Sequence, residues 1–296
     1  MATLIDLDGR LCAPGEACLP VLDRALLLGE SVYEVLRTYG GRPFELDQHL
    51  DRLARSAALA GLALPWDRAR CAAEVARTLA ASRGGEAPDP LAAPWNAGER
   101  SIRLLMTGGG GEEAPEVAPA AIVIAQPLHA PPARAYREGV KALLVQPIGR
   151  RAVPAAKTGS RLPHVLAQRA AREAGAHEAL FQDAAGQVGE GASSNLFAVR
   201  GGRLLTPPLE AGILAGVTRG LVLELARREG VAAEETPLAA VALAGMEELF
   251  ITSTSREILP VTRLGEAAVG DGRPGPVTRR LHAAFRRVAE AVARGG

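Results

Sequence analysis

Of the 34 basic residues in the chain only two, Lys141 and Lys157, are lysines. A guanidinium stays protonated and forms no imine, whereas a lysine with a lowered pKa is a nucleophile, so each retained lysine is a candidate for chemistry. Lys141 opens the alternating segment VKALLV, where an outward-facing strand lysine is the simpler reading. Lys157 stands in AKTGS, among small residues that leave room beside an amine and suit desolvation. On these residues alone a solvated loop lysine fits equally well.

Three further segments carry groups able to bind an anion. In GVTRG, Gly216, Val217 and Thr218 precede a long amphipathic stretch, and the unpaired amides of a helix N-terminus attract phosphate; a plain capping role for Thr218 is the competing reading. ITSTS sets Thr252, Ser253, Thr254 and Ser255 at a strand end, where α/β proteins place ligands. Gly108 to Gly111 have the composition of a phosphate loop, but no Lys-Ser/Thr follows, so an ordinary loop is the better reading.

Alternating strands and helices must position these groups. TLIDLDGRL reads as a hairpin turning at Asp8-Gly9, and SVYEVLRTY as a strand turned by Gly40-Gly41. Asp47 reads as the cap of a helix through HLDRLARSAALAG that stops at Gly61. A second helix covers WDRARCAAEVARTLAAS, and ERSIRLLMT and AAIVIAQPL read as buried strands. The Gly/Ala/Pro stretches near 84 to 98 and 108 to 120 read as loops. The proline-rich run at 128–134 is the expected linker between a smaller α/β domain, 1–127, and a larger one, 135–296. In the latter, KALLVQPI is a strand and LPHVLAQRAAREAGA a helix with Leu162, Val165, Leu166 and Ala170 at helical spacing. NLFAV and RLLTP form a hairpin about Gly201-Gly202, GVTRGLVLELARREG is a helix, EELFITSTS a strand and VTRRLHAAFRRVAEAVA the closing helix.

At 296 residues the chain exceeds what one hydrophobic core usually organises, so two domains are expected. With 48% hydrophobic and 23% charged residues and a net charge of +1, it has the profile of a globular protein and no basic stretch for a nucleic-acid backbone. The N-terminal residues MATLIDLDGR hold acids and no long apolar run, so neither a signal peptide nor a membrane span is expected, and the expected location is the cytoplasm. Cys12, Cys18 and Cys71 lack the spacing of a metal site or disulfide framework.

Taken in order, YEVLRTYGGRPFELDQHLDRLARSA, AKTGSRLPHVLAQ, EGASSNLF, GVTR, TSTSREILPV and DGRPGPVTRRL resemble the class IV aminotransferases, the group of branched-chain and D-amino-acid aminotransferases and aminodeoxychorismate lyases. The resemblance implies a fold-type IV architecture, α/β with mixed α+β character: two domains with pyridoxal 5'-phosphate in the cleft between them, in a homodimer whose partner completes the substrate pocket. It implies that Lys157 carries the cofactor and then moves a proton between substrate Cα and cofactor C4′. Glu190 would keep the pyridine nitrogen protonated, and Arg52, Val217, Thr218 and Thr254 would hold the phosphate. For the substrate, the resemblance points to Tyr33, which is similar to the D-amino-acid enzymes, and to Arg103, which matches an arginine for glutamate's distal carboxylate. It points also to Arg37, either as a substrate group or as a structural ion pair, and to the backbone amides of Thr254 and Ser255 for the α-carboxylate. Leu162 stands where branched-chain enzymes have a tyrosine, and Arg161-Leu162 before HVLA is closer to the lyases. The expected activity is transamination between an amino acid, branched-chain first and D-amino acid as an option, and a 2-oxo acid such as 2-oxoglutarate. The alternatives are aminodeoxychorismate lyase activity and cofactor binding without turnover.

Overall fold

The structure is a computed structural model that describes residues 3–82, 93–146, 153 and 155–295. Asp8 and Gly9 both take positive φ, 53° and 89°, as a tight two-residue turn requires, and join β1 (Leu4–Leu7) to β2 (Arg10–Cys12). A short helix, α1 (Arg24–Leu27), is capped by the Asp23 carboxylate and leads to β3 (Ser31–Tyr39). Gly40 and Gly41, again at positive φ, return the chain as β4 (Arg42–Pro43). Helix α2 (Leu46–Ala60) starts two residues earlier than Asp47 predicts: its N-cap is Glu45, in the left-handed region at φ 54°, and Asp47 lies in the first turn, where its charge favours the helix dipole. Gly61 ends α2 at φ 67°, as expected. Helix α3 (Arg68–Ala81) is capped by Asp67, whose carboxylate accepts the Arg70 amide.

With β5 (Arg100–Thr107) and β6 (Ala121–Pro127), these strands form an antiparallel six-stranded sheet in the order β2-β1-β6-β5-β3-β4. Strand alternation sends Val32, Leu36, Ile102, Leu104 and Met106 to the face that meets Leu50, Leu53, Val75 and Leu79 of the two helices. Tyr33, Val35, Arg37 and, opposite Val35, Arg103 belong to the other phase.

Beyond residue 130 the chain forms a second unit, Pro131–Ala155 with Arg161–Ala289. Residues 156–160 and 290–296 cluster instead with the first. Helix α4 (Ala133–Glu138) begins inside the stretch expected as a linker. It is followed by β7 (Val140–Val145), α5 (Leu162–Glu173), β8 (Glu178–Gln182), β9 (Gln187–Gly191), β10 (Asn195–Arg200), β11 (Arg203–Thr206) and α6 (Val217–Arg228). Then come β12 (Ala233–Glu235), β13 (Leu238–Ala239), α7 (Ala240–Leu243), β14 (Glu248–Ser253), β15 (Glu257–Leu264), β16 (Ala267–Ala268) and α8 (Pro276–Arg294).

The strands of this unit make a ten-stranded mixed sheet whose central run is β10-β14-β15-β7-β8-β9, and β9 pairs back onto β10 through Glu190 and Asn195. That pairing closes the run into a ring. Helix α5 departs from its expected face: Leu162 and Val165 are exposed, 68% and 50%, and the helix packs a buried Ala171 and a half-buried Ala167 in one cluster with Leu143, Val145, Ala179 and Phe181. Small side chains let the helix lie close to β7 and β8, and closeness selects the alanine stripe over the leucine one. Among the described residues no helix is long and apolar enough to cross a membrane.

Candidate active site

On α2 the residues His49, Arg52 and Ser56 follow one another at helical spacing, and all three are buried. Glu34 points at them from β3, on the same phase as Val32 and Leu36, and is itself fully buried. Arg52 holds it with two parallel bonds, Nε to Oε1 and Nη2 to Oε2, each 2.7 Å, and His49 Nδ1 lies 2.7 Å from Oε2. Burial pushes the Glu34 carboxyl up, but the Arg52 charge, the Arg52 hydrogen bonds and His49 outweigh it and bring the pKa down to about 2. His49 is held below the ordinary imidazole value, by burial first and then by Arg52 and Lys157 against the pull of Glu34. A neutral imidazole in that setting donates Nδ1–H to the carboxylate.

Lys157 reaches the same helix through its backbone. Its amide donates to Ser56 Oγ at 3.0 Å, its carbonyl accepts the Tyr33 amide at 3.0 Å, and the Gly159 amide bonds the Ser31 carbonyl at 2.8 Å. Thr158 forms a bridge with Val32. The edge of β3 that β4 covers at one end is thus filled at the other by the lysine loop, which explains why residues 156–160 cluster with the first unit. Gly159 permits the approach: a Cβ there would collide with Ser31 Oγ. The Lys157 amine sits 4.6 Å from the centroid of the Tyr33 ring, and the Arg103 guanidinium 5.0 Å from the same centroid. Arg37 is placed differently. Its guanidinium stacks 3.9 Å over Tyr39 and its Nε donates to the Thr38 carbonyl.

In the second unit, Glu190 and Asn195 face each other at the ring closure, both buried. Glu190 Oε2 accepts the Leu214 amide at 3.0 Å, and Asn195 Nδ2 donates to the Leu214 carbonyl at 2.9 Å. Two residues later Gly216 is the N-cap of α6, with no side chain capping the helix; Val217 and Thr218 are its first residues, so Thr218 is not the cap. Thr254 and Ser255 lie in the turn between β14 and β15, next to Thr252 and Ser253, whose buried hydroxyls lack a partner among the described residues.

That turn is held from both sides. Glu178 takes the Ser193 amide at 2.7 Å and the Ser194 hydroxyl at 2.9 Å on Oε1, while its Oε2 pairs with Arg256 at 2.9 Å. Glu257, left-handed at φ 58°, is bound by His282 at 2.9 Å and Arg286 at 3.0 Å. A non-glycine residue is strained at positive φ, and the two side-chain partners on α8 help keep it there.

The structure therefore groups Lys157, Tyr33 and Arg103 around one ring, with Arg52 one turn from the serine that holds the Lys157 backbone. It bonds Glu190 and Asn195 to Leu214, three residues before Val217 opens α6, and leaves Arg37 packed on Tyr39. Sequence reasoning missed Glu34, His49, Ser56, Glu178 and Asn195. A signal existed for the first three: an acid in the inward phase of SVYEVLRTY, and polar residues on the buried stripe of α2. Glu178 and Asn195 carry none, since their partners lie in other turns.

A model of the family described as Amino-transferase class IV matches residues 31–264. The chain belongs to this family. It is 33% identical over 290 residues, 95% of both chains, to a Methanocaldococcus jannaschii protein provisionally named a branched-chain-amino-acid aminotransferase. It is 31% identical over 279 residues, 94% of both chains, to the D-alanine aminotransferase of Bacillus licheniformis. Among solved structures, the branched-chain amino acid aminotransferase of Escherichia coli superposes with a TM-score of 0.86 at 28% identity, covering 97% of this chain and 95% of that one. A branched-chain amino acid aminotransferase from T.th., complexed with N-(5'-phosphopyridoxyl)-L-glutamate, gives 0.83 at 28%, covering 99% and 95%.

As a class IV aminotransferase the protein is a pyridoxal-phosphate-dependent transaminase of fold type IV. Its residues fit that cofactor. In the second unit, the N-terminus of α6, which no side chain caps, and the unpartnered hydroxyls of Thr252 and Ser253 have the chemistry to suit a phosphate, and the buried Glu190 carboxylate that to suit a protonated ring nitrogen; in the first unit, Lys157 is a primary amine of the kind an aldehyde takes.

Proposed function

We propose that this aminotransferase exchanges the amino group of a branched-chain amino acid with 2-oxoglutarate, as a cytoplasmic homodimer. The observation that carries the acceptor is the Arg103 guanidinium over the Tyr33 ring that also meets the Lys157 amine: a cation on the same ring as the reacting amine suits a substrate with a second carboxylate. When bound, pyridoxal phosphate withdraws electrons from the substrate so that its Cα proton becomes acidic. Lys157 is proposed to bind the cofactor and to carry that proton between Cα and C4′. Glu190 holds the proton on the ring nitrogen; Arg52, Val217, Thr218 and Thr254 bind phosphate. The amides of Thr254 and Ser255 take the α-carboxylate, and Tyr33 walls the pocket. Of the two readings of Arg37 the structural one is adopted, because its stacking on Tyr39 and bond to Thr38 serve the packing of β3.

A D-amino-acid donor is the second reading, supported by Tyr33 and by the similarity to the Bacillus licheniformis D-alanine aminotransferase. Titrating the yellow holoenzyme with L-leucine, D-alanine and L-glutamate in turn separates them. The visible band is expected to bleach with L-leucine and L-glutamate and to return with 2-oxoglutarate. Bleaching by D-alanine alone selects the second reading, and a band unmoved by all three selects the lyase. In Lys157→Ala the band and turnover are expected to vanish with the fold intact; substantial turnover would remove Lys157 from the mechanism.

A further inference from the structure

Leu214 is gripped on both of its peptide groups. Its N–H goes to the carboxylate of Glu190 on β9 and its carbonyl receives the amide of Asn195 on β10, so both dihedrals of this one residue are pinned by side chains from two strands. Asn195 is itself fixed: it pairs with Glu190 on one side and with Thr252 of β14 on the other, and is 4% exposed. A side chain on a ring-closing residue has little freedom to drift.

The same side chain reaches the helix start. Gly216 has φ −67° and ψ 133°, a conformation any residue adopts, so its backbone gives no reason for a glycine. Space gives one: a Cβ at Gly216 would collide with Asn195 Oδ1. The Asn195 amide therefore uses its nitrogen to hold the chain before α6 and its oxygen side to occupy the place of a side chain at the N-cap. The first amides of α6 are left unclaimed by any cap.

We propose that Asn195 is a positioning residue for cofactor binding, which locks the Leu214–Gly216 segment so that the amides opening α6 stand at a fixed place relative to the Glu190 carboxylate. It rests on the reading of Glu190 as the ring-nitrogen partner and of Val217 and Thr218 as phosphate ligands. The pyridine ring is rigid and the short phosphate arm limits the separation it can span, so an error in the spacing of those two groups is absorbed only in part by the ligand and the rest is lost from affinity. Asn195 touches neither cofactor nor substrate in this account; it acts through Leu214 and Gly216.

The test is equilibrium binding of pyridoxal phosphate and of unphosphorylated pyridoxal to the apo forms of wild type, Asn195→Asp, Asn195→Ala, Gly216→Ala and the Asn195→Ala/Gly216→Ala double variant. Asn195→Asp keeps the shape but sets an oxygen against the Leu214 carbonyl. It is expected to weaken pyridoxal phosphate about tenfold or more and pyridoxal less than about threefold, the loss of one buried hydrogen bond felt through the phosphate end. Gly216→Ala alone should show the same preference for loss with the phosphorylated ligand. In the Asn195→Ala background it should add nothing, because the vacated space accepts the methyl group. Gly216→Ala supplies the reading if the Asn195 variants do not fold. Wild-type affinity in Asn195→Asp, equal losses for the two ligands, or simple additivity of Asn195→Ala and Gly216→Ala overturns the role of Asn195 alone. A wild-type chain that binds neither ligand overturns the cofactor assignment and this proposal with it.

Discussion

The Lys157 amide donates to Ser56 Oγ at 3.0 Å, one helical turn beyond Arg52 on the buried face of α2. The helix that presents the arginine proposed for the phosphate thus also fixes the backbone of the residue proposed to carry the cofactor. Ser56→Ala removes the bond and is expected to cost about 1 kcal/mol of stability. It should lower kcat more than it changes KM, because the lysine is displaced rather than lost. Thermal unfolding and steady-state kinetics check this, and wild-type values of kcat would show that Tyr33 and Ser31 suffice to hold the loop.

Glu34 is the counter-charge of a buried arginine, and its removal takes away both carboxylate hydrogen bonds of Arg52. Glu34→Ala is expected to destabilise the fold by about 3–5 kcal/mol. The carboxyl is held at about 2, below its ordinary value of 4.5, so its stabilisation is complete above pH 4.5 and is lost as pH falls toward 2. Urea unfolding across that window should show a flatter acid limb in the variant. Parallel limbs would mean that another group sets the acid sensitivity.

His177 gives a second, milder window. Burial, and then the charge of Arg256, bring its pKa from 6.5 to about 4. The neutral form is the one that fits the fold, so the contribution is present above pH 6.5 and is lost as pH falls from 6.5 through 4. The thermal midpoint of the wild type should drop across this range and that of His177→Gln should drop less. Equal drops would exclude His177 as the responsible group.

Arg103 tests the acceptor. Arg103→Met keeps a long side chain beside Tyr33 without the charge, and should raise KM for 2-oxoglutarate about tenfold or more, the worth of one charge-assisted hydrogen bond. Turnover with a branched-chain 2-oxo acid, which has no second carboxylate, should be little affected. An equal loss with both acceptors would assign Arg103 to packing on the ring.

Local signals carried much of this protein. Asp8-Gly9 and Gly201-Gly202 mark turns because their positive φ is a property of those residues and their neighbours, and Gly61 ends α2 for the same reason. Inward and outward phases of β3, β5 and β6 follow from alternation, and the rarity of lysine marked Lys141 and Lys157 alike as candidates before any partner was known. Local reasoning failed where the competing choices were close in energy, as at Asp47 and Glu45, or where distance between elements selected the buried face, as on α5.

By itself, then, the sequence determined the alternating α/β order, the turns, and the residue types with the chemistry of a pyridoxal-phosphate transaminase. Only the tertiary structure decided which partners hold them: that Lys157 lies on the open edge of β3 opposite Ser56, that Glu34 neutralises Arg52, and that Asn195 grips Leu214. Each of these joins residues distant in the chain, and the choice depends on which strand edge, buried charge or peptide group is left unsatisfied once everything else has packed.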